Sequence, residues 1–150
     1  MLLTSGNISM VHFTLLNAII YRLLTDPSKV SGHGLVFLLG QAMKLPDAEF
    51  TEGDPLIGLL VVVLLHLSMV DLAAFMSSEG SDFLRILAPF RCMIAFVVCG
   101  FAYFDSGSTN ALSNSVVFAI SFIELFFQFW LFTTLREEHS ATYQEQVPDS

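Results

Sequence analysis

The chain has 150 residues, of which 54% are hydrophobic and only 13% charged, with a net charge of −8 and a mean hydropathy of +0.68. A soluble domain carries roughly 25% charged residues and could not hide this much apolar surface. Six basic residues against fourteen acidic ones also exclude a nucleic-acid-binding surface, because phosphate contacts need clustered cations. The composition is that of an all-α polytopic membrane protein.

A helix of about 20 apolar residues spans the hydrocarbon core, and four such runs follow in chain order. The first, 8–24, is near the lower length limit and carries His12, Asn17 and Arg22. Asp26-Pro27 stops it, since the residue before proline disfavours the α region. No basic region precedes Arg22 and no small-x-small site follows the run, so it reads as an uncleaved signal anchor. Residues 30–45, VSGHGLVFLLGQAMKL, have too short an apolar core to cross alone and are weakened by Gly32, Gly34 and Gly40. They read as a short interfacial or re-entrant helix ended by Pro46. An acidic loop with Asp47, Glu49, Glu52 and Asp54 comes next.

The second span, 55–77, opens on a proline, which is tolerated at the first helical position. A polar turn at 78–82 (SEGSD) leads to the third span, 83–104, where Pro89 is expected to introduce a kink. A loop of turn formers, 105–111, precedes the fourth span, 112–135. Residues 1–136 are thus expected to form a single transmembrane helical domain, with 137–150 a polar acidic tail. The two short turns force spans two to four into antiparallel neighbours. The spans lack the period-2 alternation of an outer-membrane barrel. Arg22, Lys29 and Lys44 stand on one side against Arg85 and Arg136 on the other, which leaves the orientation open.

An ionisable group at membrane depth costs at least about 2.5 kcal/mol, so each one needs a partner or a purpose. The deep polar residues are His66 and Asp71 in the second span, Arg91 in the third, and Glu124 and Gln128 in the fourth. Counted from the membrane face these helix ends share, Asp71, Arg91 and Gln128 lie roughly 9–12 Å deep. His66 and Glu124 fall near the midplane. Arg91 is long enough to reach either carboxylate. Asn114, Ser121, Glu124 and Gln128 share one helix face, while Phe118, Phe122, Phe126, Phe129 and Trp130 point mostly elsewhere, towards lipid or a partner. With two acids to one arginine, the second carboxylate is expected to be protonated or shared with His66. A register-fixing ion-pair cluster outweighs a proton relay or small polar ligand site as the reading of this set.

Other chemistry is weaker. His66 and Asp71 sit about 140° apart around their helix and cannot form one metal face. His12, His33 and His139 fall in different segments, so neither a metal nor a cofactor is expected. Cys92 and Cys99, two turns apart, are too distant for a disulfide and read as small packing residues. No G-x-S-x-G, Walker, H-E-x-x-H or C-x-x-C pattern occurs, so no enzyme is expected. The spans also lack Gly-x-x-x-Gly, the simplest helix-dimer signal. The acidic loop and the tail (Glu137, Glu138, Glu145) read as solvated surface and oppose docking on an anionic lipid surface.

The segment Gln41-Ala42-Met43-Lys44-Leu45-Pro46 resembles a signature of the fungal "increased loss of mitochondrial DNA" proteins. So do Phe122-Ile123-Glu124-Leu125-Phe126-Phe127 and the closing Leu135-Arg136-Glu137-Glu138. The order is similar as well: an anchor helix, the Q-A-M-x-L-P stretch, a span with Val70-Asp71, an arginine-bearing span, and an acidic final helix. The resemblance covers nearly the whole chain. It implies a small multi-pass fungal membrane protein of the endoplasmic reticulum, with a mitochondrial membrane as the alternative, associated with maintenance of the mitochondrial genome. It supplies no catalytic residues.

The expected function is a non-enzymatic membrane subunit or assembly factor. Its partners would be bilayer lipid and other membrane proteins, without nucleic-acid contact. The alternative is a small proton-coupled transporter or channel using His66, Asp71, Arg91 and Glu124.

Overall fold

A computed structural model of the chain describes residues 4–48, 50, 53–77, 79–105 and 112–146. Glu49 and Glu52 of the acidic loop, residues 106–111, the side chain of Glu145 and the tail residues 147–150 lie outside the described residues. The elements are α1 (Ser5–Thr25), α2 (Pro27–Ser31), α3 (Gly34–Met43), α4 (Pro55–Met76), α5 (Gly80–Phe104) and α6 (Ser115–Gln146). Among the described residues there is no strand. The four long helices α1, α4, α5 and α6 are each long and apolar enough to cross a membrane.

The breaks have local causes. The Thr4 hydroxyl accepts the Asn7 N–H at the start of α1, and Asp54 Oδ1 accepts the Leu56 N–H at 2.9 Å ahead of Pro55. Pro27 cannot continue α1. Lys44 closes α3 in the left-handed conformation, at φ 54°.

Several boundaries differ from those expected of the sequence: α1 begins at Ser5 rather than at residue 8 and α6 at Ser115 rather than at 112, and two further differences carry more consequence. Helix α5 begins at Gly80 rather than Phe83, so the turn after α4 is shorter than SEGSD. The glycine permits this, because a Cβ at Gly80 would come within 1.7 Å of the Ala74 carbonyl oxygen. Helix α6 continues through Leu135 to Gln146, so the start of the polar tail is helical. At 1.5 Å per residue α6 is roughly 48 Å long, well beyond a hydrocarbon core of about 30 Å.

Contacts fix the topology. Ser9 and His12, early in α1, meet Asp71 late in α4, while Leu23 at the end of α1 packs with Ile57 at the start of α4. Helices α1 and α4 are therefore antiparallel, and the connection between them leaves and returns at one end of the bundle. The α2–α3 segment does not cross. It closes against the start of α6, where Ser115 N–H donates to the Pro46 carbonyl at 3.1 Å. The approach there is close: a Cβ on Gly40 would lie 2.8 Å from the Ser115 Cβ.

Burial is inverted relative to a soluble bundle. Leu56, Leu59, Val62, Val63 and Met69 of α4 are exposed, while Ser68, Asp71, Arg91 and Gln128 are buried. A lipid surround imposes this pattern. On α6, Phe122, Phe126 and Phe129 face outward. Phe118 is buried against Leu45, Cys99 and Ala102, because the end of α3 and the α5 surface cover it.

The most extensive interfaces pair α5 with α6 and α1 with α4. At one end all four long helices share a core of Ile8, Ala74, Leu84, Ala88, Leu131 and Leu135. Towards the other end the cores separate. Leu16, Ile20, Leu23, Ile57 and Leu64 fill one pair, and Leu45, Cys99, Ala102 and Phe118 lie in the other. A cleft of about 260 Å³ opens there between α4, α5 and α6, and a groove of about 620 Å³ between α1, α2–α3 and α6.

Candidate functional site

Where the two helix pairs begin to part, each long helix contributes one ionisable side chain to a single set: His12 from α1, Asp71 from α4, Arg91 from α5 and Glu124 from α6. The Arg91 guanidinium donates to Asp71 Oδ1 at 2.6 Å and, through two nitrogens, to Glu124 Oε1 at 2.5 and 3.1 Å. His12 Nδ1 lies 2.6 Å from Asp71 Oδ2, and its Nε2 lies 2.7 Å from Glu124 Oε2. The four groups thus close a ring in which each cation touches both anions.

The ring is largely out of solvent: the Asp71, His12, Arg91 and Glu124 side chains are 1%, 3%, 8% and 12% exposed, and Arg91 and Glu124 border the cleft between α4, α5 and α6. Gln128 Nε2 donates to Glu124 Oε1 at 3.2 Å. Ser9 Oγ donates to the Asp71 main-chain carbonyl at 3.3 Å, and Phe127 stacks at a tilt on the His12 ring with centroids 4.9 Å apart. Asn17 and Ser68 extend the polar contact between α1 and α4 by one further hydrogen bond.

The geometry constrains the protons. A neutral imidazole has one donor and one acceptor nitrogen, whereas both nitrogens donate in the imidazolium. Since both His12 nitrogens face carboxylate oxygens, the set holds two cations and two anions. Moving a ring proton onto either carboxylate leaves the total charge at zero. A buried ion pair is tolerable only when its lone pairs and protons find partners, and this arrangement supplies most of them internally: His12 Nε2 meets Glu124 Oε2 by proximity without hydrogen-bond geometry, and Gln128 Oε1 has no partner among the described residues.

The structure brings together Asp71, Arg91, Glu124 and Gln128. His66 lies outside the set, exposed on α4 with Nδ1 donating to the Val62 carbonyl at 2.9 Å. Five residues from Asp71, it points about 140° away around the helix. The expectation that His66 shares the second carboxylate is therefore corrected: His12 holds that place. The two expected layers also merge, because Arg91 spans the depths of both acids.

A depth count could have found His12. It sits seven residues in from Ser5, comparable with Asp71 five residues in from Met76. That match appears only once α1 is known to start at the end where α4 finishes.

Of the Q-A-M-x-L-P residues, Leu45 is buried, Met43 half-buried, and Gln41, Ala42 and Pro46 exposed. They latch α3 onto α5 and the start of α6 rather than contributing to the ionic ring. Cys92 and Cys99 are free thiols. Among the described residues, no three His, Cys, Asp or Glu side chains are grouped to hold a metal ion. The Arg91 guanidinium takes the space between the two carboxylates.

Compared with known proteins, residues 4–145 match the family described as increased loss of mitochondrial DNA protein 1. The chain is similar to Protein ilm1 of Schizosaccharomyces pombe, 30% identical over 124 residues that cover 82% of this chain and 75% of that protein. It is similar to Protein ILM1 of Saccharomyces cerevisiae, 24% identical over 142 residues that cover 95% and 69%. No solved structure matches it.

Proposed function

The chain belongs to the increased loss of mitochondrial DNA family, and on that premise we propose that it is a non-enzymatic membrane scaffold. It acts as a multi-pass subunit or assembly factor of the endoplasmic reticulum membrane. Its bearing on mitochondrial DNA maintenance, which the family's name carries, is indirect, through lipid or protein homeostasis in that membrane.

One observation supports this reading above the others: the buried ring is balanced, and its ion pairs are made within the protein. A relay or a catalytic centre needs a group free to exchange protons or touch a ligand. Here two of the four pairs, Arg91–Asp71 and His12–Glu124, run between the helix pairs and hold them in register. A proton-coupled carrier is not favoured. The cleft that reaches Arg91 and Glu124 is about 260 Å³ and is lined, Ser121 aside, by residues such as Leu60, Val63, Leu67, Ile94 and Val98.

Affinity purification of the tagged chain from native fungal membranes tests the scaffold. A stoichiometric membrane-protein partner, co-purifying from the endoplasmic reticulum fraction, is the expected result. The carrier reading would replace it if the purified chain alone dissipated a proton gradient in liposomes and His12→Gln abolished that leak with the fold intact.

A further inference from the structure

We propose that the groove between α1, α2–α3 and α6 binds one anionic phospholipid, its phosphate held by Arg22, Lys29 and His33 and an acyl chain lying between α1 and α6. The groove measures about 620 Å³, within the range of small-molecule sites. Its walls are apolar, with Leu15, Ile19, Val36, Ala119, Ile120 and Ile123 among them. Ordered water needs two to four polar partners, which these walls do not offer. Left empty, the space would forfeit dispersion contacts. An acyl chain meets both conditions.

The mouth is different. Arg22 sits in the last turn of α1, Lys29 on α2, and His33 caps α3. Two of the six basic residues of the chain thus converge on one rim. From Leu15 to Arg22 is seven residues, roughly 10 Å along α1. The order from apolar wall to cationic rim is the order of a phospholipid from chain to headgroup, and basic pockets between spanning helices suit such headgroups.

Among the described residues Arg22 has no carboxylate partner. Lys29 is 2.7 Å from Asp26, in a pair whose lysine is 68% exposed. Exposed pairs contribute little, and an ammonium with three protons keeps two for a phosphate. His33 Nδ1 accepts the Leu35 N–H at 3.4 Å, which leaves Nε2 to donate outward. The remainder of the chain is acidic and repels an anionic surface, so the selectivity resides in this notch. The inference rests on the membrane-embedded reading but not on the scaffold role, because the rim does not touch the ionic ring.

Native mass spectrometry of the full chain in neutral detergent, with equal amounts of dioleoyl phosphatidylserine and dioleoyl phosphatidylcholine, tests the site. One phosphatidylserine per chain is the expected adduct. Arg22→Gln with Lys29→Gln should cut its retention roughly 30-fold, at about 1 kcal/mol per cation near the surface and about 1.4 kcal/mol per tenfold. Ala18→Phe, an exposed groove position, should abolish retention with the cations intact, whereas Arg85→Gln at the other end should not change it. Arg22→Lys with Lys29→Arg should retain the lipid, which separates loss of charge from loss of fold. Equal retention of the two lipids overturns the proposal, as does an unaffected double glutamine variant. Displacement by glycerophosphoserine, the headgroup without its chains, or exclusion of lipid by a second copy of the chain, does so as well.

Discussion

Replacing Arg91 with glutamine removes three donated hydrogen bonds, one to Asp71 and two to Glu124. It leaves two carboxylates with His12 as their one cationic neighbour and Gln128 still donating to Glu124, and the Asp71 side chain is only 1% exposed. Breaking one partner out of a buried pair costs about 3–5 kcal/mol, because the residual charge has no water to turn to. For a chain of this size each kcal/mol is worth about 2–4 °C in Tm. Arg91→Gln should therefore lower the midpoint by roughly 6–20 °C, read as the loss of the monodisperse peak in fluorescence-detected size exclusion after heating in detergent. Adding Asp71→Asn restores neutrality, with His12 against Glu124, and should recover at least half of the loss despite removing a second native contact. The two positions are then coupled, as residues in one network are. An Arg91→Gln variant within 2 °C of the parent, or a double variant below the single one, would refute the balanced-ring account.

The same heating assay separates the two histidines: His12→Gln should cost nearly as much as Arg91→Gln, whereas His66→Ala, exposed and bonded only to its own helix, should stay within about 0.5 kcal/mol. Glu138 accepts Ser5 N–H at 2.8 Å and Ser5 Oγ–H at 2.6 Å, which neutralises donors at the positive start of α1. Glu138→Gln should cost about 1 kcal/mol and quicken hydrogen exchange over residues 5–9 severalfold. Gly80→Ala should sharply reduce abundance in membranes, since its Cβ meets backbone at 1.7 Å, while Gly34→Ala, with nothing within 4 Å, should not. Asp26 is held below its ordinary 3.8, chiefly by Lys29 and then by the Ser28 hydroxyl. Its support of the α1–α2 junction is therefore full above that pH and is lost as pH falls through the lowered value. Exchange over residues 26–31 should quicken only below about pH 4, and Asp26→Asn should remove that step.

The spans are legible in the sequence because the hydrocarbon core fixes their length, and Pro27, Pro55 and the turn residues after Ser77 mark their ends. The continuation of α6 is not legible in the same way. In Arg136-Glu137-Glu138-His139 polarity marks the exit from the membrane, but nothing there breaks a helix, so the change of solvent and the end of the element fall at different residues. Gly80 is a similar case. The sequence displays a turn former, and only the nearness of the Ala74 carbonyl makes it the first residue of a helix.

The site divides along the same line. Asp71, Arg91, Glu124 and Gln128 are found by asking which polar groups lie deep in the clearest spans. His12 escapes that question, because its depth depends on which end of the bundle α1 starts from. That in turn depends on the α2–α3 segment turning back without crossing, as the re-entrant reading of 30–45 expects, and on α1 starting at Ser5, since a span starting at residue 8 places His12 only four residues in.

The placement of the ring also bears on how the bundle holds together. Within lipid no hydrophobic force draws one helix pair towards another. His12–Asp71 and Arg91–Glu124 lie within the tightly packed pairs, whereas Arg91–Asp71 and His12–Glu124 join them where their cores begin to separate. The crossing ion pairs therefore set how far the groove beside α1 opens, and α1 carries both His12 and Arg22. A break in the ring should then lose lipid retention together with stability. A change confined to Arg22 and Lys29 should lose lipid retention alone, with the midpoint of unfolding unmoved in the absence of lipid.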